Sequence, residues 1–152
     1  MTRGLGSQMS PEWVPYAAAL GSILAIMLRD PARQRLPISA LAAWIRPALT
    51  LEQYRIFFDD DGRPVGFAIW AYLSDDVQEK WQTQCGSVLH ISEWNEGENL
   101  WLVDFCALKR YQRIAMEHVK AELFSACDAV NWVRRKPNGQ LKHVVCKLRR
   151  GH

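Results

Sequence analysis

The sequence predicts an α+β fold, an antiparallel-rich sheet flanked by helices in a single domain. Three observations predict it. Apolar residues recur at helical spacing from Leu20 to Leu28. Two pairs of aromatic- and branched-rich runs are joined by Asp-Gly and Asn-Gly turns. Between them a short apolar run, Leu100 to Val103, reads as a buried strand.

Residues 1–10 read as a disordered N-terminus, followed by one domain over residues 11–152. Ser10-Pro11-Glu12 supplies an N-cap and then a proline at the first helical position, so a helix is expected to begin there. Leu20, Ile23, Leu24, Met27 and Leu28 form its core stripe, which ends at Arg29-Asp30-Pro31. Asp30 to Pro37 is a proline-bracketed polar connection. Ile38-Ser39 then opens a second short helix through Leu41, Trp44 and Ile45, expected to stop at Pro47.

Gln53 to Phe58 and Pro64 to Ala71 read as a β-hairpin around Asp61-Gly62. The run Asp59-Asp60-Asp61 is a turn rather than a calcium loop, because Arg63, Pro64 and Val65 stand where further oxygen ligands would be needed. Ser74 caps a helix carrying Asp75 and Asp76 in its first turn, through Val77 and Trp81, and a polar loop containing Gly86 follows. After the strand Leu100 to Ala107, Tyr111 to Phe124 has helical spacing. The chain closes on a hairpin, Ala129 to Arg135 and Leu141 to Leu148. The element order is α-α-β-β-α-β-α-β-β, an arrangement of the kind used by acyltransferases with an N-acetyltransferase-like core.

With 152 residues, 49% of them hydrophobic, the chain can bury one core. No run approaches the roughly 18 uncharged apolar residues of a membrane span. The N-terminus lacks the pattern of a secretory signal, which points to the cytoplasm. Cys85, Cys106, Cys127 and Cys146 are widely spaced with no CxxC pair, so free thiols are expected and no metal. No glycine-rich phosphate loop is present, which removes nucleotide hydrolysis. The net charge is +3, but Ala129 to His152 holds Arg134, Arg135, Lys136, Lys142, Lys147, Arg149 and Arg150 with no acidic residue. Such a patch suits an acidic partner, whether nucleic acid or an acidic carrier protein, or is simply a solvated face.

Asp104 is the residue the strand pattern leaves to be explained. It follows Leu100-Trp101-Leu102-Val103 and precedes Phe105-Cys106, where a charge is costly without a partner. Either it pairs at a strand end, or it orients or activates a reacting group in a cleft.

In Leu20-Gly21, the Pro31 to Pro37 loop, Gln53-Tyr54, Pro64-Val65-Gly66-Phe67, Trp70-Ala71, Leu73-Ser74 and above all Trp94, Gly97, Trp101 and Asp104, the chain resembles the RTX-toxin-activating lysine acyltransferases. Val133-Arg134 and the Gly151 end resemble that family's last hairpin. The resemblance implies transfer of a fatty acyl group from acyl carrier protein, as its phosphopantetheine thioester, to lysines of a protoxin-like protein, with no bound cofactor and with a homodimer as the family's expectation. It implies a catalytic role for Asp104, and acidic-carrier binding by Arg134, Arg135, Lys136 and Lys142. The family's second catalytic residue is a loop histidine, and that position holds Arg33, while the family's loop serine is replaced by Asp30 and its segment after the aspartate by Cys106-Ala107-Leu108. Histidine, with a pKa near about 6.5, can move a proton at neutral pH, whereas arginine stays charged. Asp104 as base with Arg33 as oxyanion or phosphate partner is one reading, and an Arg33–Asp104 ion pair closing an inactive site is another. A silent relative that binds a carrier or protein partner, and a small basic nucleic-acid-binding module, are the alternative functions. The latter rests on the C-terminal hairpin alone, since the tryptophans sit in apolar runs.

Overall fold

The structure, a computed structural model, describes residues 4–83, 88–135, 138 and 140–148. The elements are α1 (Val14–Met27), α2 (Ile38–Leu51), β1 (Tyr54–Phe58), β2 (Pro64–Leu73), α3 (Asp75–Thr83), β3 (Asn99–Ala107), α4 (Gln112–His118), β4 (Ala129–Arg135) and β5 (Leu141–Lys147), with short 3-10 turns between. The five strands form one sheet in sequence order. All neighbours are antiparallel except β3 and β4, which run parallel around the α4 crossover. The α+β order and both hairpins expected from the turn residues are present. Gly62 takes the left-handed conformation (φ 77°) in the first hairpin, and Asp59 Oδ1 accepts from the Asp61 and Arg63 amides.

β2 is buried on both faces, which is why its sequence is a near-continuous apolar run. Phe67, Ile69, Ala71 and Leu73 pack on one side against Ile23, Ile26 and Met27 of α1 and Ile45, Ala48 and Leu49 of α2. Ala68 joins Leu100, Leu102, Val119, Phe124 and Val130 on the other side, beneath α4. The sheet is thus the middle of three layers.

Three local expectations are corrected. α1 begins at Val14, not at Pro11, because Ser10 to Trp13 closes as a separate turn (Trp13 N to Ser10 O, 3.0 Å) and Pro15 occupies the first helical turn, where it is harmless. α2 does not stop at Pro47 but continues to Leu51, since Pro47, Ala48 and Leu49 are all buried and their packing outweighs a proline's cost of about 3 kcal/mol. It ends at Glu52 in the left-handed conformation (φ 56°). The expected single helix Tyr111 to Phe124 is a 3-10 turn, α4 and a π-turn over Val119–Leu123, an arrangement that seats Val119 and Phe124 in the core.

β3 carries one irregularity. Ile69 pairs with Asp104 while the next residue of β2, Trp70, pairs with Leu102, so Val103 is an extra residue, a β-bulge. Before it, Trp101 faces α1 and α2 while Leu100 and Leu102 face α4. After it, Cys106 faces α1 and α2 and Phe105 faces α4. Val103 and Asp104 in succession are turned to the α1–α2 side.

Two glycines of the Trp94 and Pro64 segments are required by close approach. A Cβ on Gly97 would overlap the Leu73 carbonyl and the Ser74 nitrogen, and one on Gly66 would lie 2.9 Å from the Ala107 Cβ. Gln53, 6% exposed, ties the same region together by donating to the Trp70 and Trp94 carbonyls at 2.9 and 3.1 Å.

Candidate functional site

The α1–α2 connection delivers Arg33 to the bulge. Asp30 shapes that connection: its Oδ1 accepts from the Ala32 amide at 3.0 Å and its carbonyl from the Arg33 and Gln34 amides. The resulting 3-10 turn, Arg33–Arg35, is followed by Leu36 and Pro37 in extended backbone, so the chain is committed to α2 with the Arg33 side chain directed at the sheet.

Arg33 and Asp104 meet as a bidentate pair. Arg33 Nη1 donates to Asp104 Oδ2 and Nη2 to Oδ1, both at 2.6 Å. Nη2 also reaches the Phe105 carbonyl at 3.3 Å, and Nε lies 3.4 Å from Asp30 Oδ2. A third donor comes from α2, Trp44 Nε1 to Asp104 Oδ2 at 3.1 Å. The guanidinium stands 5.8 Å from the Phe67 ring centre. The side chains are 22% and 14% exposed, enough for a substrate to touch them and little enough for their charges to be felt. Burial alone would lower the Arg33 pKa, but hydrogen bonding to Asp104 and its charge prevail and raise it. Arg33 is therefore a fixed cation and no proton carrier.

Cys106 sits beside the pair, its Sγ 3.9 Å from Asp30 Oδ2. Burial pushes its thiol up to about 11, with Asp104 and Asp30 adding to the rise against a smaller opposing effect of Arg33. It is a protonated thiol and a poor nucleophile at neutral pH.

Three cavities converge on Arg33. One of about 350 Å³ runs between α2 and α3 to the pair and is walled by Ala40, Ala43, Trp81, Leu89 and Trp94. A second, of about 340 Å³, is the cleft between β3 and β4, which share a single ladder position, Trp101 opposite Asn131, and part beyond it. Val103 and Asp104 line one side and Trp132, Val133 and Arg134 the other. The third, of about 560 Å³, opens past Asp30, Cys106 and Gln112.

Of the basic residues assigned to a carrier, Arg134 thus stands in the cleft with Asp104 and Arg33. Lys142 is its cross-strand neighbour on β5 and is exposed. Arg135 is placed by strand register only, opposite Leu141. Lys136 lies outside the described residues, as do Cys85, Gly86, Gly139, Arg149, Arg150, Gly151 and His152. The histidines stand elsewhere: His90 caps a 3-10 turn, His118 pairs with Glu122 at 3.3 Å, and His143 stacks on Trp101 with ring centres 4.8 Å apart. Sequence reasoning assigned Trp44 to the α2 core stripe and missed its bond to Asp104, for which spacing carries no signal. It also missed the buried Gln53. The indole nitrogen of Trp94 has no hydrogen-bond partner among the described residues. Among those residues no group of three or more His, Cys, Asp or Glu is placed to hold a metal ion, and no helix is long and apolar enough to cross a membrane.

Comparison with known proteins places this geometry in context. The model of the HlyC RTX toxin acyltransferase family matches residues 12–149. The RTX-II toxin-activating lysine-acyltransferase ApxIIC of Actinobacillus pleuropneumoniae is 30% identical over 88 residues, 58% of this chain and 54% of that protein. The lysine-acyltransferase RtxC of Vibrio cholerae is 21% identical over 131 residues, 85% of each chain. An uncharacterized protein of Synechocystis is 31% identical over 106 residues, 69% of this chain and 71% of that one. The match to ApxIIC thus spans about half of that relative's length. Among solved structures, a histone acetyltransferase HPA2 and related acetyltransferase from Corynebacterium glutamicum is a distant likeness, 14% identical with TM-score 0.43 over 86% of this chain and 76% of that one.

Proposed function

From the premise that the chain belongs to the RTX toxin acyltransferase family, we propose that it is a protein lysine acyltransferase that takes its acyl group from the phosphopantetheine thioester of acyl carrier protein. The observation that carries this reading is the Arg33–Asp104 pair at the junction of an apolar cavity and the opening between β3 and β4. A thioester needs an apolar place for its chain, a channel for its arm and polar groups at its carbonyl, and these three meet at one point.

The amine nitrogen of the acceptor lysine attacks the thioester carbonyl. The C–N bond forms, the C–S bond breaks, and the electron pair leaves on sulfur, which takes up the proton the amine gives up. Arg33 has five N–H groups, of which Asp104, Phe105 and Asp30 engage four, leaving one on Nη1 for the developing oxyanion. Asp104 has about four lone-pair sites, and three are filled by Arg33 and Trp44. The fourth accepts an N–H of the incoming amine and orients it. Arg134 at the cleft and Lys142 beside it supply positive charge toward an acidic carrier.

Because Arg33 cannot take a proton, the amine must arrive neutral. The transfer rate is therefore expected to rise with pH without a break near about 6.5, toward the ordinary lysine pKa of about 10.4. Arg33→His, which installs a titratable group, is expected to introduce that break. The test is incubation with acyl-loaded carrier protein and a lysine-containing target across pH, read by intact mass. A wild-type profile already levelling near pH 6.5, or transfer unaffected by Asp104→Asn, would overturn the assignment.

A second reading, a silent relative that binds the carrier without turnover, is favoured by one observation, the three donors already spent on Asp104. A stable complex whose carrier keeps its acyl group at every pH is its signature.

A further inference from the structure

The cavity between α2 and α3 has a defined size, and the substrate it serves has a defined cross-section. Its walls are apolar, with Ala40 and Ala43 from α2, Trp81 from α3, and Leu89, Trp94 and Val103 around the far side. Its one charged end is the Arg33–Asp104 pair. Trp94 is fully buried in that wall, and its indole N–H is unpartnered among the described residues. A buried donor left without an acceptor costs free energy unless something admitted beside it supplies one. An apolar chain ending in a carbonyl has the matching chemistry: methylenes for the walls, an oxygen for the polar groups.

We propose that this cavity seats the acyl chain of the donor and limits it to medium length, about a dozen carbons or fewer. A methylene packed at interior density occupies roughly 27 Å³, and the cavity measures about 350 Å³. Longer chains leave their ends outside, where they gain nothing. Ala40 and Ala43 keep the α2 wall open, and Trp81 closes the α3 wall. The inference rests on the acyl-transfer reading for the identity of the chain, while its size limit rests on the walls alone.

The full chain is titrated with straight-chain fatty acids of 8, 10, 12 and 16 carbons, followed by tryptophan fluorescence, since Trp44, Trp81 and Trp94 all line the cavity. Each methylene buried contributes about 0.8 kcal/mol, or about fourfold in affinity. Affinity is therefore expected to climb with chain length and to stop climbing at about twelve carbons. Ala43→Leu is expected to move the break shorter by about three carbons and Trp81→Ala to move it longer. Because the two changes act in opposite directions, a general loss of structure cannot imitate both. A steady climb through sixteen carbons, length-independent binding, or no binding overturns the inference, as does an unmoved break in both variants. Transfer from carrier protein is measured in parallel. A break at medium length without transfer supports the cavity and rejects the transferase reading, whereas transfer indifferent to length does the reverse.

Discussion

Removing either half of the Arg33–Asp104 pair should cost stability unequally, and removing both should cost less than the sum. Two unit charges about 4 Å apart attract by about 4 kcal/mol at the effective dielectric of a protein boundary. Desolvation and side-chain ordering offset part of that. With exposures of 22% and 14% the pair lies between surface pairs and buried ones, so a coupling of about 2 kcal/mol is expected. Asp104→Asn keeps an oxygen for Trp44 Nε1 and leaves Arg33 beside Asp30 and the Phe105 carbonyl, so its cost should be about 2 kcal/mol. Arg33→Met leaves a carboxylate with Trp44 as its one donor among the bonds described, so its cost should be larger, about 3 kcal/mol. Urea unfolding of the wild type, both single variants and the double variant, at matched m-values, gives the cycle. Additivity within about 0.5 kcal/mol would mean that the two groups are adjacent without being coupled. A greater cost for Asp104→Asn than for Arg33→Met would refute the assignment of Asp30 and Phe105 as Arg33's remaining support.

Cys106 provides a pH test with a definite sign. Its folded pKa is raised from an ordinary value near 9 to about 11, so above pH 9 the unfolded chain releases a proton that the folded chain keeps. Stability from this group is complete below about pH 9 and lost as pH rises through 11, a decline of about 2 kcal/mol that Cys106→Ala should remove. Parallel slopes for the two proteins between pH 8.5 and 11 would refute it. Gly97→Ala should cost about 3 kcal/mol or more, because the added methyl meets the backbone of Leu73 and Ser74 rather than a movable side chain. A loss under about 1 kcal/mol would show that the Trp94 segment can retreat.

Punctuation made most of the architecture legible in the sequence. Asp61-Gly62 and the Ser74-Asp75-Asp76 start mark element boundaries that local chemistry alone determines. Asp104 was legible for a similar reason, as a charge in an apolar run. Pro47 misled because its penalty is local while its compensation, burial with Ala48 and Leu49, is tertiary. Tyr111 to Phe124 misled because helical spacing does not distinguish an α-helix from one that widens into a π-turn to place Phe124. The pairing of Arg33 with Asp104 was one of two open readings. The third donor, Trp44, was hidden because a tryptophan in a core stripe has the same spacing whether or not its nitrogen has a partner. Gly97 and Gln53 carried the family resemblance without a reason attached, and both reasons are long-range: a backbone crossing at Leu73 and a buried amide shared by Trp70 and Trp94.

The extra residue in β3 bears on how its own motif should be read. Trp101 and Asp104 are three apart, and in an unbroken strand an odd step sends two side chains to opposite faces. They share a side here because Val103 shifts the alternation by one. The same three-residue step is what neighbours on a helix show, so the pattern imitates a helix while belonging to a wrinkled strand. The spacing between tryptophan and aspartate is thus a record of phase. Deleting Val103 would leave every later residue of β3 facing as it does now, yet would draw the carboxylate back along the strand by about 3.3 Å, out of the reach of Arg33.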